Sequence, residues 1–353
     1  MSQTEKSITF VVGAGASNEV DMPTGYGLKA AVAKALAFGA DNFGRLEGGD
    51  PKVREALYQL AQSGNASGNI NKYFESALLI KRAMPQAPSI DNFIDSHRAD
   101  PKIAECGKLA IASEILKAER ASKLFVNPSN IYNKLDFANV ENTWFNAFFQ
   151  LLALNTQLED FPERLSRVKI ISFNYDRTLE HFLHHAIQNY YGCTSEKAAI
   201  ALNSLVILHP YGSVGALPWQ QTSTTSVPYG ADLDSRTLLS VASTLRTFTE
   251  GTDVTESRIN EIRKSVFDAD TLIFLGFAYH ELNLSLLFGP FVDGPVRHLK
   301  QVYGTAMGLS ESNKKAIASE LASLGKYDVS QITLRKELSA SEVFPEYSRS
   351  LRF

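Results

Sequence analysis

The chain has 353 residues, of which 44% are hydrophobic and 21% are charged, a balance typical of a globular protein with a large core. Its net charge of −3 gives no basic surface for direct contact with nucleic acid, and two cysteines exclude a disulfide framework or a four-cysteine zinc site. The sequence has neither a signal-peptide pattern nor a run of about 20 apolar residues, so we expect a soluble cytoplasmic protein that does not bind membranes.

Several short aliphatic runs are apolar on both faces, as parallel strands are when helices cover both sides of a sheet. We predict six such strands: Ile8–Val12, Val168–Ser172, Leu205–Leu208, Thr271–Leu275, Gln301–Tyr303 and Gln331–Leu334. Helical patterns separate most of them. This alternation predicts an α/β fold, a Rossmann-like doubly wound and mostly parallel six-stranded sheet.

Residues 28–165 break this alternation, and we find no convincing strand among them. Helices are predicted at 30–36, 72–84, 103–124 and 144–154. We therefore expect a nucleotide-binding core of residues 1–27 and 166–353 with a large inserted helical module at 28–165, which either stands apart or packs into one domain. The strongly apolar helix at 144–154 is expected to pack on the sheet rather than to form an oligomer interface.

The first predicted strand runs into Gly13-Ala14-Gly15-Ala16-Ser17. Glycines at such a turn let the backbone approach a phosphate, and the amides and helix N-terminus that follow suit a diphosphate. The motif lacks the last glycine of the usual dinucleotide fingerprint and the ribose-binding acid at the usual distance. A simple tight turn between strand and helix remains the alternative.

Polar side chains follow the next two strands. Ser172 ends one strand and leads to Asn174 and Asp176, and His209 follows another. Because ligands bind at the carboxyl ends of parallel strands, we expect these groups to meet in one cleft with room for a sugar. The alternatives are that Asp176 caps the following helix and that His209 is structural.

Two later strands end near glycines. Gly276-Phe277 follows the strand at 271–275, and Gly304 follows Tyr303; both glycines would let a ribose or adenine approach the backbone. A competing site consists of His181, His184 and His185 on one face of a predicted helix. Since no acid completes a zinc-peptidase pattern there, we expect a solvated polar face and no metal site.

Taken in chain order, these motifs resemble the sirtuin family. The matching residues are Gly13, Ala14, Gly15, Ser17 and Pro23, then Asn174 and Asp176, then Leu208 and His209, and finally Gly276. The chain departs from the family pattern in several places. It lacks the paired cysteines of the zinc module, has Thr24-Gly25-Tyr26 and Ser172-Phe173 in place of the family's residues, and inserts Pro210-Tyr211 before Gly212.

The resemblance is closer to divergent, zinc-less sirtuin-like proteins of bacterial anti-phage defence. It implies a toxic NADase that hydrolyses NAD+ to ADP-ribose and nicotinamide in abortive infection. Asn174, His209 and Asp176 would be catalytic, while Gly13, Ala14, Gly15, Ser17, Pro23, Ser172, Gly276, Phe277 and Gly304 would bind NAD. It also implies a homo-oligomer regulated by a partner, such as a HerA-type ATPase or a short Argonaute. The alternative is a non-catalytic sensor of NAD or ADP-ribose.

Overall fold

A computed structural model describes residues 6–40, 46–63, 69–130, 132–222, 224–248, 256–289 and 301–352. Its centre is a sheet of six parallel strands: β1 (Ile8–Val12), β4 (Val168–Ser172), β5 (Val206–Leu208), β6 (Thr271–Leu275), β7 (Gln301–Thr305) and β8 (Ile332–Arg335). Their spatial order is β5-β4-β1-β6-β7-β8.

The strand order reverses beside β1, as it does in a doubly wound sheet. Counted along the chain, the parallel strands lie in the order 3-2-1-4-5-6, with β1 between β4 and β6. The predicted fold class is therefore confirmed. Open sheets of this kind bind ligands outside the carboxyl ends of the strands, in the crevice where the order reverses.

The central strand is buried along its whole length, which explains its apolar character on both faces. Phe10 of β1 pairs with Ile170 of β4 on one side and with Ile273 of β6 on the other, and all three are fully buried. Helices cover both faces of such a sheet. The predicted strands agree with the observed ones apart from one or two residues at their ends.

The helices in the described part of the chain surround this sheet. They are α1 (Ala14–Ser17), α2 (Gly25–Ala35), α3 (Pro51–Ser63), α4 (Ile70–Ala83), α5 (Ile90–Ser96), α6 (Pro101–Ala121), α7 (Trp144–Ala153), α8 (Phe161–Ser166), α9 (Thr178–Tyr191), α10 (Ser195–Leu202), α11 (Ser235–Ala242), α12 (Glu256–Asp268), α13 (Glu281–Phe288), α14 (Glu311–Gly325) and α15 (Val343–Glu346). None of them combines the length and apolar character needed to cross a lipid bilayer.

A small antiparallel pair corrects the prediction that residues 28–165 contain no strand. It consists of β2 (Phe38–Ala40) and β3 (Leu46–Gly48), with Phe38 opposite Gly48. Each strand has three residues, too few to display an alternating pattern, and each contains a glycine, which has a low preference for strands. The signal in the sequence was therefore too weak to detect.

The helix α7 packs into the core, as expected for its composition. Trp144, Phe145 and Phe148 are buried, and the ring of Phe148 meets Phe10 of the central strand edge-to-face at 5.2 Å. A single hydrophobic cluster contains residues of the sheet together with residues of α2 to α7. The division into a core and an inserted module stays a prediction.

Candidate functional site

Three neighbouring strands deliver the polar residues singled out in the sequence to one edge of the sheet. The carboxyl ends of β1, β4 and β5 lie side by side. They lead to Ser17, Asn174 and His209 respectively. Although about 190 residues separate the first strand from the third along the chain, the parallel pairing brings these side chains together.

Asn174 joins the loops that follow all three strands. Its side-chain amide donates to Oγ of Ser17 at 2.9 Å, and its backbone carbonyl accepts from Nδ1 of His209 at 3.0 Å. Its backbone amide faces Oγ of Ser172 at 3.4 Å. All four residues are buried, so these hydrogen bonds are shielded from water and fix the orientation of Asn174.

His209 is held at both ring nitrogens. Nδ1 must carry a proton because it contacts a backbone carbonyl, and Nε2 lies 2.9 Å from Oε1 of Glu180 in the first turn of α9. Burial alone would lower the pKa of His209. The charge and hydrogen bond of Glu180, with the carbonyl of Asn174, outweigh it and raise this pKa above its ordinary value. The structure therefore favours an imidazolium paired with a glutamate.

Asp176 hydrogen-bonds the first residue of α9, but it is not the N-cap of that helix, as the capping alternative had it, because Arg177 occupies that position. Its Oδ1 accepts from the backbone amide of Thr178 at 3.1 Å and from the Thr178 hydroxyl, which lies 3.3 Å from Oγ of Ser17. Burial, helped by the charges of Glu119 and Glu180, raises the pKa of Asp176 to about 6 in spite of the Thr178 hydrogen bonds. A carboxyl group that titrates near neutral pH is suited to proton transfer.

The glycine loop differs from the phosphate cradle expected from the sequence. The amides of Gly13 and Gly15 donate to the carbonyls of Leu275 and Gly276, and the amide of Ala16 donates to Gly13. The helix α1 that follows has only four residues. Three of the amides expected to be free are thus engaged within the protein, and the helix N-terminus is too short to attract a diphosphate strongly.

Glycines are required where the β1 and β6 loops touch. Gly276 has φ of +55°, and a Cβ there would lie 1.9 Å from the backbone nitrogen of Ala16. A Cβ on Gly13 would lie 2.7 Å from the carbonyl oxygen of Gly276. This close approach of two backbones explains these glycines without a ligand.

Asn174 and His209 line different cavities. The cavity lined by Ser17, Asn174, Asp176 and Glu180 among others has a volume of about 10 Å³, which is roughly the space of one water molecule. His209 instead lines, together with Glu180, a cleft of about 560 Å³. The expectation that the side chains of Asn174 and His209 meet in one cleft with room for a sugar is therefore wrong. Phe173 and Phe277, which follow β4 and β6, pack on each other with ring centroids 5.2 Å apart.

The remaining predicted cofactor residues lie outside this cavity. Gly304 is within β7, where a Cβ would come 2.2 Å from the Tyr279 hydroxyl, so packing accounts for this glycine. Pro23 directly precedes Thr24, the N-cap of α2. Neither residue is among those that line the cavity. Their proposed contacts with NAD remain predictions.

The histidines of α9 contradict the expected solvated face. His181 and His184 are buried, and they stack on Tyr229 at 4.0 Å and Trp219 at 4.7 Å. Burial lowers the pKa of both, and that of His185 to about 4. The loop after β5 covers this face, which helical periodicity alone cannot reveal. Among the described residues no cluster of histidine, cysteine and acidic side chains is arranged to hold a metal ion.

Two acidic residues near the site were not identified from the sequence. Glu180 lies in the first turn of α9, four residues after Asp176 along the chain, and this closeness in sequence could have indicated it. Glu119 of α6 forms a fully buried ion pair with Arg177, between Nη2 and Oε2 at 2.5 Å. Arg177 also donates to the carbonyl of Val227 at 2.5 Å, so it ties the loop after β5 to the start of α9.

Comparisons with known proteins identify two solved structures of similar topology. One is a mutant Sir2 homologue in complex with 2′-O-acetyl ADP ribose, at 13% identity and a TM-score of 0.41, covering 98% of this chain and 91% of that chain. The other is a Sir2 homologue in complex with NAD, at 12% identity and a TM-score of 0.39, covering 98% and 88%. No protein-family profile and no curated protein matches the chain.

Proposed function

We propose that this protein hydrolyses NAD+ to ADP-ribose and nicotinamide. The observation that carries the proposal is the hydrogen-bonded chain from Ser17 through Asn174 to His209, which lies at the carboxyl ends of three adjacent strands. It stands next to the reversal of strand order, where doubly wound sheets bind dinucleotides. The resemblance of the motifs to sirtuins points to the same substrate.

The reaction breaks the bond between the ribose C1′ and the nicotinamide nitrogen, and the bonding electrons leave with nicotinamide. Water adds to C1′ and loses one proton. Asn174 would orient the ribose and the attacking water. The cavity lined by Asn174, Asp176 and Glu180 has the volume of one water molecule. Asp176, ionised above about pH 6, would stabilise the positive charge that develops on the ribose.

His209 would act as the general base together with Glu180. With both ring nitrogens engaged, it has no free lone pair, so it must first pass its Nε2 proton to Glu180 and then separate from the resulting carboxylic acid. Nε2 can then accept a proton from a ribose hydroxyl or from the attacking water. In this scheme Glu180 is the acceptor of the proton that His209 gives up.

Access for NAD+ requires the cavity beside Asn174 to widen, because a cavity of about 10 Å³ cannot hold a ribose. A closed crevice suits an enzyme that depends on an activator. We therefore extend the proposal to a toxic effector of anti-phage defence, whose slow basal hydrolysis rises when a partner protein or self-assembly opens the crevice. The HerA-type ATPase and Argonaute suggested by the sequence belong to this proposal.

The proposed hydrolysis is tested by incubating the purified chain with NAD+ and measuring nicotinamide by chromatography. The wild-type protein should release nicotinamide, and Asn174→Ala and His209→Ala should each lower the rate by 10²-fold or more while thermal unfolding stays cooperative. Asn139→Ala serves as the matched control. Asn139 is exposed and does not line the cavity, so this variant should retain full activity. Full activity in Asn174→Ala or His209→Ala would contradict the assignment.

A non-catalytic sensor of NAD or ADP-ribose is the second candidate. It is favoured by the two occupied nitrogens of His209, since a binder needs no free base. Calorimetry with NAD+ separates the two functions. A sensor binds NAD+ and leaves it unchanged. This holds both for the purified chain alone and after addition of a protein encoded beside it in the genome.

A further inference from the structure

The residue that follows Asn174 is tied to the short helix α5. The hydroxyl of Tyr175 donates to Oδ1 of Asp91, the second residue of α5, at 2.5 Å. Tyr175 is buried and Asp91 is half-buried, so this hydrogen bond is largely shielded from water. The position of the Asn174 segment, residues 173–176, is therefore linked to a helix that comes from an earlier part of the chain.

A second tyrosine ties the loop after β5 to the helix that follows β6. The hydroxyl of Tyr211 donates to Oδ1 of Asn283 in α13 at 2.5 Å, and Tyr211 is buried as well. The centroid of its ring lies 5.7 Å from that of Phe173 and 6.4 Å from that of Tyr175. The aromatic residues on both sides of Asn174 therefore pack on this tyrosine.

The helices α5 and α13 are also joined to each other. Nδ2 of Asn92 in α5 lies 3.1 Å from Nε2 of His280, the residue that caps α13 by accepting from the amide of Leu282. Together with the hydrogen bond between the Asn174 carbonyl and His209, these contacts close a ring. We call it the polar ring, and its side chains are those of Asp91, Asn92, Tyr175, Tyr211, His280 and Asn283.

Apolar packing anchors α5 independently of the polar ring. Ile90 and Ile94 are buried, and a Cβ on Gly107 of α6 would come within 2.6 Å of Cδ1 of Ile94. The two helices therefore pack closely, with glycine making room for the isoleucine. Because this packing does not involve the polar ring, breaking the ring should release the Asn174 segment from α5 without unfolding the helix.

We propose that the polar ring is a latch that keeps the cavity beside Asn174 closed. When its hydrogen bonds break, residues 173–176 are free to shift, and the cavity of about 10 Å³ widens to admit NAD+. None of the six described residues of the ring lines that cavity, so they regulate the site without belonging to it. The inference rests on the proposed function, because NAD+ is the molecule that enters.

The first measurement is the affinity of the full chain for NAD+ by isothermal titration calorimetry. If only the open conformation binds NAD+, the apparent Kd is the intrinsic Kd divided by the open fraction. Tyr175→Phe removes one hydroxyl and keeps the ring, so thermal unfolding should stay cooperative. In the closed conformation it leaves the carboxyl group of Asp91 without its donor, which favours opening. The apparent Kd for NAD+ should therefore fall roughly tenfold.

A second variant and a matched control show whether the effect comes from this hydrogen bond. Asp91→Ala removes the acceptor and should also tighten NAD+ binding. The double variant with Tyr175→Phe should bind NAD+ no more tightly than Asp91→Ala alone, because both changes remove one interaction. Tyr303→Phe is the control, since Tyr303 is buried in β7 and donates to Oγ of Ser350 at 3.2 Å, outside the polar ring. Its affinity for NAD+ should equal that of the wild type.

Hydrogen exchange measured by mass spectrometry detects the opening without NAD+. Peptides that cover residues 173–176 and 209–214 should exchange faster in Tyr175→Phe and Asp91→Ala than in the wild type. The amide of Val214 donates to the carbonyl of Tyr175 at 3.1 Å, so its exchange reports directly on this segment. Peptides that cover α14 should be unchanged.

Failure of the latch and failure of the proposed hydrolysis give different results. Unchanged exchange in Tyr175→Phe and Asp91→Ala, or NAD+ affinity that is equal to or lower than that of the wild type, would overturn the latch; release of nicotinamide by the wild type would still support hydrolysis. Faster exchange with tighter NAD+ binding but no nicotinamide would support the latch and contradict hydrolysis. Faster exchange in variants that bind no NAD+ would overturn the latch as a gate for this dinucleotide.

Discussion

The carbonyl oxygen of Asn174 lies 3.0 Å from Nδ1 of His209, while the side chain of the same asparagine donates to Ser17 at 2.9 Å. One residue therefore links the ends of β1, β4 and β5. Because buried hydrogen bonds of this kind depend on one another, a change of charge beside His209 alters the hydrogen bonds of the whole chain of residues.

Glu180 should control the protonation of His209. Glu180→Gln keeps the shape of the side chain and removes its charge, so burial should dominate and the pKa of His209 should fall. An NMR titration of the imidazole nitrogens measures this pKa directly. Glu163→Gln, at an exposed carboxylate, is the matched control. An unchanged pKa of His209 would show that Glu180 does not stabilise the protonated imidazole.

Because of Asp176, the rate of NAD+ hydrolysis should depend on pH near 6, and we call this part of the pH–rate profile the limb. Below its pKa of about 6 the carboxyl group is protonated and neutral, and above it the group is ionised. If the ionised form stabilises the ribosyl cation, the rate of NAD+ hydrolysis should rise with pH through about 6, below the pH at which deprotonation of His209 would act. Asp176→Asn should lower the rate at neutral pH and abolish this limb. A limb that persists in Asp176→Asn would have to come from another group.

The sheet was predictable because its strands are buried on both faces. Residues such as Phe10, Ile170 and Ile273 have no polar alternation, and that pattern is specific for covered parallel strands. The proximity of Asn174 and His209 was equally predictable, since strand ends in a parallel sheet share one edge; that His209 contacts the backbone of Asn174, while the two side chains line different cavities, was not. Local sequence order was sufficient for both conclusions.

The remaining features depend on contacts between distant segments. The glycine loop loses its free amides to Leu275 and Gly276, about 260 residues away. The face of His181 and His184 is covered by Tyr229 and Trp219 from the loop after β5. Helical periodicity shows which residues share a face, and it does not show what covers that face.

Gly276 should tolerate no side chain. A Cβ there would lie 1.9 Å from Ala16 N, and its φ of +55° is itself unfavourable for alanine. Gly308 has φ of +79° but no atom within 4 Å of a Cβ, so Gly308→Ala measures the conformational cost alone, about 1 kcal/mol. Gly276→Ala should cost several times more, as measured by urea unfolding. Equal losses in the two variants would contradict the close contact.

The buried pair of Glu119 and Arg177 should be sensitive to removal of either partner. Each single substitution, Glu119→Gln or Arg177→Met, leaves one buried charge and should cost about 3–5 kcal/mol. The double variant should lose much less than the sum of the two. Lys264→Gln, at an exposed ion pair, should change stability by at most about 1 kcal/mol. Additive losses in chemical unfolding would show that the two charges do not stabilise each other.

The histidines of α9 should make the fold sensitive to acid. Burial first, and then the charge of His184, lower the pKa of His185 to about 4 from 6.5. Between these values the unfolded chain binds more protons than the folded chain, so stability falls as pH decreases from about 6.5 to 4. Buried carboxyl groups with raised pKa values, such as Asp176, act in the opposite direction over this range.

His185→Gln separates the contribution of this histidine from that of the carboxyl groups. One pKa unit corresponds to about 1.4 kcal/mol, and since part of the ring contacts solvent, we expect the variant to recover roughly 1–2 kcal/mol at pH 4.5 relative to pH 7.5. Urea unfolding of both proteins at the two pH values gives the comparison. Because the carboxyl groups are common to both proteins, their effect cancels in the difference. A wild-type pH dependence that is unchanged in His185→Gln would mean that this imidazole is protonated in the folded protein as easily as in the unfolded chain.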